Sequence, residues 1–201
     1  NINDFYKNFF DKTSIDLEKF FKENISKIKN IKKKHPFYSE FDIKFRVLRD
    51  HYLTENVYKR IMFQLFAEKN FNPVNYYSQI YMNKEQVKSM HKLGHTIGLH
   101  SHNHPMLMER LSYNEQMADY KKNLNKLSKL LNINKIEISS MAHPCGSYSK
   151  ETLDILDKLN IKIGFKQIMN IEKNKGMKTI NNSNLEIARE DHMNLLKEIN
   201  K

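Results

Sequence analysis

From about residue 80 onward, apolar segments of two kinds take turns, and this alternation constrains the fold more than any single residue does. Asn83-Lys84-Glu85-Gln86 and Ser112-Tyr113-Asn114-Glu115 both have the form of a capping box, in which residue and backbone at a helix start satisfy each other's donors. They predict helices ending near Leu93 and Leu131, and a third is expected over Lys150–Leu159. Between and after them lie short apolar runs that read as strands: His95–Ser101, Ile136–Met141, Ile161–Ile168 and Leu185–Arg189. A closing helix is expected over His192–Ile199. Strands separated by helical crossovers pair in parallel, so residues 80–201 read as an α/β core.

The first 79 residues differ in character. Ser14 can cap a helix whose Leu17, Phe20, Phe21, Ile25, Ile28 and Ile31 recur at three- and four-residue steps, ended by Lys34-His35-Pro36. Thr54 caps a second, with Val57, Ile61, Met62, Leu65 and Phe66 on one stripe. We expect a helical insertion (1–79) packed beside the core and walling its cleft, within a single domain of 201 residues. Tyr76, Tyr77 and Tyr81 could stack on sugar rings, with core packing the preferred reading.

The chemistry concentrates in Gly98-Leu99-His100-Ser101-His102-Asn103-His104-Pro105. Lys92-Leu93-Gly94 ends a helix, and the histidines come where the next strand runs out, the end at which α/β folds build their sites. His100 and His104, four apart, can share one side of a turn and offer two imidazoles to one metal ion. Nine histidines are present, so spacing alone is not diagnostic; the flanking glycine and proline give it weight. His102 reads as a neighbour, because a loop after His100 breaks strand alternation. The ring nitrogens of the pair are expected to converge within about 4 Å, as two ligands of one zinc require.

Three stretches together resemble the polysaccharide deacetylases (carbohydrate esterase family 4). His100-Ser101-x-x-His104-Pro105 matches that family's H-[S/T]-x-x-H-P. Ala142-His143-Pro144-Cys145-Gly146-Ser147-Tyr148 is similar to its A-Y-P-Y-G-x-Y-N, and Leu185–Asp191 to a late strand ending in Arg-x-Asp. The resemblance covers about residues 80–192. It implies a distorted (β/α) barrel, incomplete here, and a metal-dependent deacetylase acting on an N- or O-acetyl group of a bacterial surface sugar or polysaccharide. Zinc or another divalent metal would be held by His100 and His104. Pro144, Cys145, Gly146 and Tyr148 would contact substrate, the Cys145 backbone N–H holding the oxyanion. Arg189 and Asp191 would share a strand face, as a charge pair tuning the site or an ordinary ion pair. His192 is either the proton donor to the leaving group or a surface residue at a helix start. We expect the Pro144-Cys145-Gly146 loop and Arg189 to meet the histidines across one cleft.

Two departures stand out. The family's Asp-Asp pair, which provides a third ligand and the catalytic base, has no counterpart string, and we expect it on an N-terminal segment preceding Asn1. The competing reading is a sugar-binding domain that has lost catalysis. Ala142 stands where other branches carry arginine, a charge Arg189 could supply. Cys145 with His143 is rejected as a nucleophile–base pair: two residues apart across a proline, they lack both geometry and a third orienting group.

A net charge of +11 raises the question of nucleic acid. The basic residues are dispersed on polar helix faces, however, as in Lys27–Lys34, and nucleic-acid binding is not expected. An anionic glycan, or a glycolipid at a membrane surface, suits that charge better. No apolar run reaches the ~18–20 residues of a membrane span. One cysteine excludes an internal disulfide framework and suits a reducing, cytoplasmic compartment.

Overall fold

The computed structural model describes residues 1–34, 38–169 and 183–189, with Leu196 and Ile199 beyond them. It divides into two compact units, Asn1–Tyr81 and Met82–Lys201.

The first unit is helical: α1 (Ile2–Asp11), α2 (Leu17–Glu23), α3 (Ile25–Lys34), α4 (Glu40–His51), α5 (Glu55–Glu68) and the short α6 (Tyr77–Ile80). Its core is aromatic and aliphatic, with Phe9, Val47, Leu48 and Ile61 fully buried and the Phe9 and Phe45 rings meeting edge to face at 4.8 Å. Thr54 caps α5 as expected, its hydroxyl accepting from the Val57 N–H. The long helix expected after Ser14 is instead two. Asp16 is the cap, accepting from the Lys19 N–H at 3.1 Å, and the helix breaks at Asn24, whose side-chain amide donates to the Phe20 carbonyl. Helix α4, not anticipated from the sequence, starts at Ser39, whose hydroxyl accepts from the Asp42 N–H. Tyr76, Tyr77 and Tyr81 are exposed rather than packed in a core.

The second unit holds α7 (Lys84–Lys92), α8 (Tyr113–Leu131), α9 (Lys150–Lys158) and strands β1 (Ser140–Ala142), β2 (Ile163–Met169) and β3 (Ile187–Arg189). Both expected capping boxes are formed, at Asn83–Gln86 and Ser112–Glu115, and Asn132 closes α8 in the left-handed conformation. The strands are parallel in the order β1-β2-β3, with Met141 opposite Gly164 and Phe165 opposite Ile187. Leu99, Tyr120, Ile138, Met141, Ile155, Leu156 and Ile161 form the core between sheet and helices.

This is the parallel α/β arrangement expected, but among the described residues the sheet does not close into a barrel. The strand expected over His95–Ser101 is reduced to one bridge, in which Leu99 donates to Ser140 and accepts from Ala142. The ladder stops there because Ser101, whose N–H would be the next donor to β1, turns left-handed (φ 62°), and the Ala142 carbonyl it would reach is bonded to the His100 ring. The strand expected from Ile136 begins only at Ser140. Asn134 and Glu137 cap each other's backbone and wind residues 135–137 into a helical turn. The closing helix expected over 192–199 lies outside the described residues apart from Leu196 and Ile199. Among the described residues, no helix is long and apolar enough to cross a membrane.

Candidate active site

Leu99 is hydrogen-bonded into the edge of the sheet, so His100 stands where that strand segment ends. Its Nδ1 donates to the Ala142 carbonyl at 2.8 Å. A carbonyl can only accept, so the proton of the neutral ring sits on Nδ1, and Nε2 keeps its lone pair for a ligand. His104 lies four residues on, left-handed at φ 51°, with its N–H donated to Ser101 Oγ at 2.9 Å. The turn brings the two rings together, 4.9 Å between centroids and edge to face. Both imidazoles thus lie beside each other on one side of the loop. His102 turns toward α8, where its Nε2 lies 3.5 Å from Lys126 Nζ. Desolvation, then Lys126 and Lys122, lower its pKa below the ordinary histidine range.

The loop owes its shape to α8, through two residues that sequence reasoning missed. Asn123 Oδ1 accepts the His100 N–H at 3.1 Å. One turn earlier, the buried Asp119 accepts from His102 N–H at 2.7 Å and Asn103 N–H at 3.0 Å, one with each carboxylate oxygen. A signal was present: Gln116, Asp119 and Asn123 put polar groups at helical spacing into a stripe otherwise continued by Tyr120, Leu124 and Leu127.

The second loop comes after β1. His143 donates its backbone N–H to the Phe165 carbonyl, and residues 144–146 make a tight turn, with Cys145 at φ 52° and Gly146 at φ 69°. Cys145 Sγ is 3.7 Å from Met106 Sδ, so the Pro144-Cys145-Gly146 turn lies against the loop that carries the histidines. Ser147 Oγ, accepting from the Glu109 N–H, adds a second tie. His143 itself, 3% exposed, donates from Nε2 to the Leu185 carbonyl at 2.7 Å. Burial lowers its pKa, so the ring is neutral and Nδ1 is bare, with no hydrogen-bond partner among the described residues. Tyr148 stacks on that ring at 4.3 Å between centroids and donates its hydroxyl to the fully buried Glu186. Tyr148 is thereby built into the wall behind the turn.

Arg189 ends β3, and its Nε donates to the Lys166 carbonyl at 2.7 Å. It is anchored to β2 by that bond, while the Cys145 turn lies against the histidine loop through Met106. Asp191 and His192 lie outside the described residues. Among the described residues no third His, Cys, Asp or Glu joins the pair to complete a metal cluster.

Two imidazoles presented beside a backbone turn, both at the ends of parallel strands, mark an α/β protein with a candidate hydrolytic metal site. The sequence pattern of polysaccharide deacetylases matches residues 50–164, more than half of the chain, and takes in both histidines and the Pro144–Gly146 turn. The chain belongs to the polysaccharide deacetylase family, hydrolases of carbon–nitrogen or ester bonds. Among solved structures, it is similar to the Streptococcus pyogenes deacetylase PplD in complex with acetate (29% identity, TM-score 0.47), over 58% of this chain and 50% of that one. It is also similar to the BpsB deacetylase domain from Bordetella bronchiseptica (15% identity, TM-score 0.45), over 55% and 48%. The chain thus spans about half the length of each. No curated protein matches it.

Proposed function

We propose that this chain carries the metal-binding histidines and the acyl-binding turn of a metal-dependent deacetylase. Its substrate would be an N- or O-acetylated bacterial surface sugar or polysaccharide. The observation that carries this reading is the pairing of the His100 and His104 rings at 4.9 Å, with Ala142 holding the His100 proton on Nδ1. A divalent ion held there, zinc by preference for two imidazoles, supplies Lewis-acid polarisation of the acetyl carbonyl and acidifies a water.

The chain's own residues do the rest. His100, through the Nε2 left free by its Nδ1–H bond to Ala142, and His104 would hold the ion. The Cys145 N–H, presented by a left-handed turn, is the donor this reading assigns to the developing oxyanion. Gly146 keeps that turn close against β2, and Tyr148, fixed by Glu186, backs it. Arg189, Asp191 and His192 enter as the charge pair and proton donor of the same reading. By the family resemblance the third ligand and the base would be an aspartate pair; among the described residues no third His, Cys, Asp or Glu joins the two histidines. The test is zinc-dependent acetate release from acetylated glycan polymers by the protein as its host expresses it. Wild type should release acetate and His100→Ala should not. Binding of the glycan with no acetate released, in the presence of zinc, would instead establish a sugar-binding domain.

A further inference from the structure

Four backbone N–H groups hold the loop that carries the two histidines, and each has its own acceptor. His100 donates to Asn123, His102 and Asn103 donate to Asp119, and His104 donates to Ser101. All of these acceptors are side chains, and three of the four bonds run to α8. Within the loop, Ser101 and His104 are left-handed without being glycine, a conformation that L residues keep only when their surroundings impose it. Asp119 supplies two of the four bonds. It is 6% exposed, and each carboxylate oxygen takes one N–H from two consecutive residues lying between the histidines. Residues this buried on a core-facing stripe are ordinarily apolar, and a carboxylate there must be hydrogen-bonded to be tolerated.

We propose that Asp119, assisted by Asn123, is a positioning residue that presets the His100–His104 pair for its metal ion. This rests on the reading of those two histidines as ligands. The carboxylate does not bond to the ligand rings; it fixes the backbone from which they project, so that binding does not have to order the loop. Groups that orient metal ligands in this way typically contribute about 10–100-fold to metal affinity.

The experiment is a zinc titration of the protein as its host expresses it, followed by the ring ¹⁵N signals of its histidines, with thermal unfolding of the metal-free protein in parallel. In wild type the His100 and His104 signals should move together on one binding curve. Asp119→Asn leaves the side chain's size but sets an amide NH₂ against one N–H donor, and should raise the Kd about 10–100-fold. Ser112→Ala removes the cap of the same helix without touching the loop, and should lower Tm while leaving the Kd unchanged. If Asp119→Asn fails to fold, Asn123→Ala, which removes one loop bond, carries the test and should raise the Kd by a smaller factor. Wild-type affinity in the folded Asp119 variant, or equal weakening by Ser112→Ala, overturns the proposal while leaving the histidine site standing if His104→Ala abolishes binding. No zinc response of His100 and His104 in wild type overturns the proposal and the metal-site reading together.

Discussion

At Cys145 and Gly146 the chain turns left-handed twice in succession, and the second of the two residues has no room for a side chain. A Cβ on Gly146 would come within 2.9 Å of Gln167 Cβ, on a backbone at φ 69° that L residues avoid. Gly146→Ala should therefore cost about 1–3 kcal/mol, measured by denaturant unfolding. His143 gives a second residue-scale test. Burial lowers its pKa in the folded chain below the ordinary 6.5, so at pH values between the two the unfolded chain holds more protons. Stability therefore rises with pH through that window and levels off above about 6.5. His143→Gln keeps a donor for the Leu185 carbonyl and removes the titration. Its Tm should fall less than that of wild type as pH drops below about 6.5.

Elements were legible where a local rule decided them and illegible where a side chain from elsewhere competed. The capping boxes of α7 and α8 needed only four residues each, and both formed where the sequence placed them. The strand before His100 keeps a single bridge because Ser101 turns left-handed into a loop held by Asn123 and Asp119 from α8, residues whose role no window of local sequence contains. Asn24 broke a helix whose apolar period runs straight through it, because its amide found the Phe20 carbonyl. The histidine pair was legible from spacing and its flanking glycine and proline. Its supports, Asp119 and Asn123, required knowing which face of α8 meets the loop. That packing makes α9 a test of the core. Leu156 is fully buried there alongside Leu153 and Ile155, and Leu156→Ala should cost about 2–5 kcal/mol in chemical denaturation.

Over the whole molecule the family match is established, and under the proposed reading of the histidine pair the carboxylates decide whether this chain performs the chemistry. Two imidazoles fill half of a tetrahedral shell and bring no negative charge to offset a divalent cation. No third ligand joins them among the described residues, and none of the sequence's acidic residues stands in an Asp-Asp string. We therefore expect the 201-residue chain on its own to bind zinc weakly and to release no acetate, since a missing base forfeits the ~10²–10⁴-fold that general base catalysis contributes. Adding the aspartate pair on a preceding segment should restore both properties, and His100→Ala in that longer protein should remove them again. Acetate release by the 201 residues alone, dependent on zinc and lost in Asp191→Asn, would place the working carboxylate on the segment after β3 instead.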